Sequence, residues 1–216
     1  MGGPPLTLVC FAVKEEAKSF NQSAGGRRDV RVLLTGMGAR NAERALRAAL
    51  AAARPDLVLS AGFAGGLRPD LSSGSVVFSV EGQPALEKKL LAAGAQAAKF
   101  HFVERVATTA EEKHALQEQT GADAVEMESQ VIRSICDEQG IPSATVRVIL
   151  DTANDDLPLD FNELMTDDQE LDGRKLALAL IKSPGKVGAL LRLQKQSALA
   201  AHRLAEVLGQ VLRHGG

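Results

Sequence analysis

Short apolar runs alternate with amphipathic stretches along this chain. Leu6 to Val13 is a continuous apolar run that includes Cys10 and Phe11, and it reads as a buried strand. Lys14-Glu15-Glu16-Ala17 opens a short helix, and Gly25-Gly26 marks a turn. Val30 to Thr35 is a second strand. It ends in Gly36-Met37-Gly38, and an alanine-rich helix runs from Ala39 to Ala53. Pro55-Asp56 breaks that helix. Leu57 to Ser60 is a third strand, with Ala61 to Gly66 read as a glycine-rich loop, and Val76 to Val80 is a fourth.

The second half repeats the rhythm. Leu86 to Ala93 is a weak helix, Phe100 to Val106 a strand, and Ala110 to Gln119 a helix with Thr109 as its N-cap. Ala124 to Glu126 is a short strand feeding a helix from Ser129 to Gln139, which Gly140 caps and Pro142 keeps from continuing. Ala144 to Leu150 is a β-branched strand closed by Asp151. A loop of Asp, Asn and Pro follows to Asp160. Helices fill the remainder, the longest from Val187 to Arg213. Strands alternating with helices predict an α/β fold, a central sheet covered on both faces. No repeat, low-complexity tract or linker divides the chain, so 1–216 reads as one domain with a basic helical segment over 173–216.

Composition narrows the function. At 216 residues the chain can bury a core without staples. It has no Trp or Tyr, so it offers no aromatic platform for nucleic-acid bases. Cys10 and Cys136 belong to no CxxC or Cys/His cluster, so neither structural zinc nor another metal is expected. Both fit a reducing compartment, and the expected location is the cytoplasm. Met1-Gly2-Gly3-Pro4-Pro5 lacks the basic region and apolar run of a signal peptide. No run approaches the ~20 apolar residues of a membrane span. Charge is uneven: from Gly173 onward eight Lys or Arg face one acid, Glu206, while the first 172 residues are acidic.

Three loops after strands carry glycine or acid: Gly36-Met37-Gly38, Ala61 to Gly66, and Glu126-Met127-Glu128. Asp151 closes a fourth strand. Strand ends on one edge of an α/β sheet converge on a ligand crevice. Glycines there let backbone N–H groups approach an oxygen-rich ligand, and carboxylates bind sugar hydroxyls or move protons. Gly36-Met37-Gly38-Ala39 lacks the third glycine of a dinucleotide fingerprint, and no acid ends the next strand. Asp151-Thr-Ala-Asn154-Asp155-Asp156 lacks the glycine and closing glutamate of a calcium loop and reads as a turn.

Thr35-Gly-Met-Gly38, Ser60-Ala-Gly-Phe-Ala-Gly-Gly66, Val125-Glu-Met-Glu128 and Arg147-Val-Ile-Leu-Asp151 occur in the order and approximate spacing of the nucleoside phosphorylase/nucleosidase superfamily, which the chain resembles from Leu6 to Asp151. Gly62-Phe-Ala-Gly-Gly-Leu67, the string from Asp151 to Pro158 and Pro184-Gly-Lys-Val-Gly-Ala-Leu-Leu-Arg-Leu193 resemble its hopanoid-biosynthesis-associated branch. The resemblance implies a three-layer α/β/α domain with a mixed sheet. It also implies cleavage of the N-glycosidic bond of a purine nucleoside, lipid-linked ones such as adenosylhopane included, and a homo-oligomer. Glu128 would bind the ribose 2′-hydroxyl with Met127 packed on the sugar. Asp151 would protonate purine N7, Glu16 would activate water, and Gly38, Phe63 and Gly65 would lie at the ligand. No cofactor is implied; the acceptor is water or phosphate.

The chain also departs from that pattern. Ala12-Val-Lys-Glu-Glu16 stands where phosphorylases often carry a phosphate loop. Phe63 replaces a small polar residue, and the segment at Thr108-Thr109 lacks a base-stacking aromatic. A nucleoside-binding protein without catalysis is therefore the competing expectation. Glu16, among Lys14, Glu15 and Lys18, equally fits a solvated helix face, and Met127 equally fits the core. His101 reads as structural, and His114, His202 and His214 as surface positions. The basic tail reads as a packed amphipathic helix or as one that also touches an anionic membrane.

Overall fold

Alternation along the first strand, β1 (Thr7–Phe11), assigns its side chains to two cores. Val9 and Phe11 pack on one face of the sheet, Leu8 and Cys10 on the other. The computed structural model describes residues 5–24, 26–166 and 172–213. Residues 1–4, 25, 167–171 and 214–216, His214 among them, lie outside that set.

After β1 come α1 (Lys14–Ala24), β2 (Val30–Leu34), α2 (Ala39–Ala52), β3 (Leu57–Gly66), β4 (Val76–Val80), α3 (Pro84–Ala92), β5 (Gln96–Ala97) and β6 (Phe100–Phe102). Then follow α4 (Ala110–Thr120), β7 (Ala124–Glu126), α5 (Ser129–Glu138), β8 (Ser143–Asp151), α6 (Phe161–Leu164), α7 (Gly173–Lys182) and α8 (Val187–Arg213). The sheet order is β2-β1-β3-β8-β4-β5, with β7 pairing β3 and β6. Pairs β1–β2, β1–β3 and β3–β8 are parallel, while β4–β8 and β3–β7 are antiparallel, so the sheet is mixed. Side chains from α1, α3 and α8 cover one face. Those of α2 and α5 cover the other. This is the expected single-domain three-layer architecture.

Two element boundaries differ from the sequence reading. Ala61 to Gly66 is not a loop: β3 runs through it, paired with β8 as far as Gly65 opposite Asp151. The glycines permit two partners to close in there. A Cβ on Gly65 would lie 3.1 Å from Val125 Cγ1, and one on Gly66 3.2 Å from Ile149 Cγ2. The strand expected over Phe100 to Val106 stops at Phe102, because its partner β7 has only three residues before the chain turns into α5. The two-residue β5 has no apolar signal; both of its residues are exposed.

Other expectations match. Thr109 caps α4, its side chain accepting from Glu112 N, and Gly140 follows α5 at φ 60°. Cys10 and Cys136 are buried, and burial raises both thiols to about 12, which keeps them unreactive. The C-terminal helix divides along its length. From Ala200 onward α8 buries Leu204, Val207, Leu208 and Val211 in the core. Its first turns and all of α7 bury nothing.

Candidate active site

The parallel strands β3 and β8 end side by side, and the chain turns from β7 into α5 across the end of β3. This geometry brings six acidic and basic side chains together. Arg147 lies on β8 between apolar neighbours, with its side chain 2 % exposed. One of its terminal nitrogens donates to Glu126 Oε2 at 2.6 Å and to Ser60 Oγ at 3.2 Å, and lies 3.4 Å from Glu128 Oε2. Burial pulls the guanidinium pKa down, but Glu126, Glu128 and Glu16 outweigh it and hold the group above its usual value.

Glu126 ends β7 and fastens the start of α5. Its Oε2 accepts from the backbone N–H of Glu128 at 3.0 Å and of Ser129 at 2.7 Å, and its Oε1 accepts from Ser129 Oγ. Burial pushes this carboxyl up; the charge of Arg147 and the donated hydrogen bonds prevail and keep it below the usual range. Glu126 is therefore an anion, and its role is to hold Arg147 and the α5 N-terminus.

Glu128, the residue before α5, reaches the opposite side of the crevice. Its Oε1 accepts from Gly38 N at 2.8 Å. Gly38 stands at the N-terminus of α2 with φ 79°, an angle that favours glycine. The helix end that would take a dinucleotide phosphate is thus occupied by the chain's own carboxylate. Burial, with the like charges of Glu126 and Glu16, pushes Glu128 up to about 7, against the pull of Arg147. Met127 between the two acids is buried.

Glu16, in the first turn of α1, is buried rather than solvated. Its Oε2 accepts from Ala12 N at 2.8 Å and Val13 N at 3.1 Å, and its Oε1 from Phe63 N at 2.8 Å. Burial raises its pKa against these bonds and Arg147. Gly62 is required here: a Cβ would sit 2.6 Å from Glu16 Oε1. Phe63 is half-buried beside the acid.

Asp151 ends β8 at the far side of Gly65, whose missing Cβ would lie 3.6 Å from Asp151 Oδ2. Lys113, the one buried residue of α4, pairs with that oxygen. Burial raises Asp151, with Lys113 pulling the other way. Its loop is a turn, as expected: Asp155 accepts from Thr152 N and Oγ.

The structure pairs the residues singled out from the sequence: Phe63 with Glu16, Gly38 with Glu128, and Gly65 with Asp151, while Met127 is buried between Glu126 and Glu128. Two residues given no role from sequence join them. Arg147 carried a signal, a lone charge in a β-branched strand. Lys113 carried none, since α4 is polar along most of its length. His101 sits on β6 outside the cluster, and His114 and His202 are exposed. Among the described residues no group of three His, Cys, Asp or Glu is placed to hold a metal ion. Clefts of about 320 and 460 Å³ open beyond the start of α5, both lined by Ser79, Glu81, Arg133 and Thr145. Neither touches Glu16, Glu128 or Asp151. The larger one reaches Glu126, the anchor of Arg147, and both present the exposed Arg133–Glu81 pair; the raised carboxyls of Glu16, Glu128 and Asp151 lie outside them, and those are the groups suited to proton chemistry.

A mixed α/β sheet with buried, raised carboxyls at its strand ends describes an enzyme-like crevice for a polar ligand. Comparison places the chain more closely. The model of the phosphorylase superfamily matches residues 12–83 and 95–182, and the chain belongs to that family. A 5′-methylthioadenosine/S-adenosylhomocysteine nucleosidase of Shewanella halifaxensis (strain HAW-EB4) is 28 % identical over 170 residues, 63 % of this chain and 74 % of that one. The Helicobacter pylori nucleosidase of the same name, solved with butyl-thio-DADMe-Immucillin-A, superposes with a TM-score of 0.71 at 15 % identity, covering 98 % of this chain and 99 % of that one. Futalosine hydrolase of Helicobacter pylori strain 26695 gives a TM-score of 0.67 at 15 % identity, covering 94 % and 97 %. At such identity these structures show a shared fold.

The raised Glu128 carries a pH dependence. A carboxyl at about 7 in the folded protein holds its proton above the pH at which the unfolded chain releases it. Its contribution to stability is therefore present at low pH and lost as pH rises through about 7. Melting curves from pH 5 to 8 test this. The wild type is expected to lose more melting temperature across that range than Glu128→Gln; parallel curves would contradict it.

Proposed function

We propose that the protein cleaves the N-glycosidic bond of an adenine nucleoside with water as acceptor. One observation carries this reading: Glu16 from α1, Glu128 from the start of α5, and Arg147 and Asp151 from β8 gather at neighbouring strand ends, and burial raises all three of these carboxyls. Family membership and the nucleosidase relative support it.

The chemistry follows from charge. Breaking the bond between C1′ and the purine builds positive charge on the sugar and sends the electron pair into the base. Asp151 donates a proton to N7, which stabilises the departing base. Glu128 accepts from the ribose 2′-hydroxyl, and Met127 packs on the sugar. Glu16 has about four acceptor sites. Ala12, Val13 and Phe63 take three. The fourth receives the proton of the attacking water. Ala12-Val-Lys-Glu-Glu16 stands where phosphorylases often carry a phosphate loop, so water is the better acceptor.

The finer reading concerns the rest of the nucleoside. Leu178, Ile181, Val187, Leu191 and Leu199 are exposed on α7 and α8. Lys182, Lys186, Arg192 and Lys195 stand among them, with no acid from Gly173 to Arg203. Among the described residues no helix is long and apolar enough to cross a membrane. An exposed basic and apolar face suits the surface of an anionic membrane. The substrate of this reading carries an apolar, lipid-like 5′-substituent that Phe63 accommodates, in keeping with the resemblance to the hopanoid-associated branch.

Free adenine is expected on incubation with adenosine, its 5′-thioethers or lipid-linked adenosine, with no requirement for phosphate. Asp151→Asn is expected to slow release by about 10²-fold or more. Stabilisation by these nucleosides without release would leave a binding protein, and release independent of Asp151 would move the acid elsewhere.

Salt-sensitive pelleting with anionic vesicles is expected as well, each cation near the surface contributing about 1 kcal/mol. No pelleting at low salt, or no change on neutralising Lys182, Lys186, Arg192 and Lys195, would return this face to a structural role.

A further inference from the structure

The ion pair behind Asp151 has a consequence for the proposed reaction. Lys113 lies in the first turns of α4 with no exposed side-chain surface, whereas Asp151 is 12 % exposed. A fully buried ammonium is costly unless its donors are met. Lys113 donates to Thr152 O at 3.0 Å and Asp155 O at 2.7 Å, and forms an ion pair with Asp151 Oδ2. Asp156 closes the same strap by accepting from Ala110 N at the start of α4. The helix is thereby tied to the loop that begins with Asp151.

This arrangement treats the two carboxyl oxygens differently. Oδ2 is enclosed and faces the ammonium. An oxygen that faces an N–H donor cannot also carry the acidic proton toward it. We propose that Lys113 is a positioning residue for the departing base: by occupying Oδ2 it places the carboxyl proton of Asp151 on Oδ1, the oxygen that donates.

The inference rests on the proposed cleavage and deepens it. As the bond to C1′ breaks, its electron pair passes to the purine. The Oδ1–H bond breaks, and its proton goes to N7. Asp151 is left as a carboxylate, and that new charge forms against the standing charge of Lys113. A carboxylate formed in the same enclosed place without a cation would be strongly disfavoured. Lys113 therefore favours the step in which the charge appears.

The groups around Asp151 are few. From α4, Lys113 faces it. From its own loop, Asp155 is the second charge, and it is held low by Thr152. The neighbours from β3 and β7 are Gly65 and Val125, which do not titrate. His114 turns to Asn154, and Glu112 pairs with Arg105 and accepts from Thr108 N.

Two variants and two readouts test the proposal. Lys113→Met removes the cation; Lys113→Arg keeps it. In pH profiles of adenine release, Lys113→Met is expected to lower kcat about tenfold or more, with KM little changed. Its alkaline limb is expected to move up by about one unit as Asp151 loses its partner. Lys113→Arg is expected to recover much of kcat. A melting temperature that falls with kcat and limb unchanged would make Lys113 purely structural and overturn the proposal. The second readout needs no turnover. A carbon-13 titration of the Asp151 carboxyl in the resting protein is expected to shift upward in Lys113→Met. An unchanged titration would overturn the proposal. Absence of adenine release from the wild type, together with a shifted Asp151, would defeat the cleavage reading and leave the hold of Lys113 on Asp151 intact.

Discussion

Arg147 brings a full positive charge into the middle of a β-sheet, where water cannot solvate it. That placement is tolerable only with carboxylates around it. Glu126 supplies a permanent negative charge at 2.6 Å, and Glu128 and Glu16 add to the field of Arg147 whenever they ionise. Removing one partner of such a buried pair costs about 3–5 kcal/mol, because the other charge is left bare. The neighbouring elements are shaped by this requirement. The β7–α5 corner turns on the hydrogen bonds of Glu126, α2 begins where Gly38 meets Glu128, and β3 carries Gly62 because Glu16 occupies the place of a Cβ.

The same cluster explains why its acids are suited to proton chemistry. One cation is shared among three carboxyls in an enclosed space, so they cannot all ionise freely. Glu126 takes the ionised state through the four hydrogen bonds that it accepts. Glu128 and Glu16 are pushed up toward the neutral form. Identical chemistry in three side chains is thus divided into an anchor and two titrating groups by environment alone. Asp151 stands apart, with its own cation in Lys113.

Much of this was legible in the sequence. Short continuous apolar runs located the strands, and the longest helix begins at Val187 and ends at Arg213 as its pattern implied. The glycine-bearing segments and Glu126-Met127-Glu128 marked the crevice. What escaped detection had physical reasons. Glycines at 62, 65 and 66 look like a loop because composition records flexibility, whereas here they serve close approach by β7, β8 and Glu16. Lys113 is buried through a contact made by a distant loop, and α4 shows no apolar stripe to announce a buried face. The exposed state of α7 was equally hidden, since an amphipathic pattern does not say whether its apolar side finds a partner.

In the proposed reaction sugar and base lie on opposite sides of Gly65, with Arg147 and its carboxylates on one side and the Asp151–Lys113 pair on the other. A crystal structure with a non-cleavable adenosine analogue tests that division directly. The ribose hydroxyls are expected on Glu128, the face of C1′ toward Glu16, and the position of N7 within hydrogen-bonding distance of Asp151 Oδ1. An analogue seated instead in the cleft lined by Ser79, Glu81, Arg133 and Thr145 would contradict it.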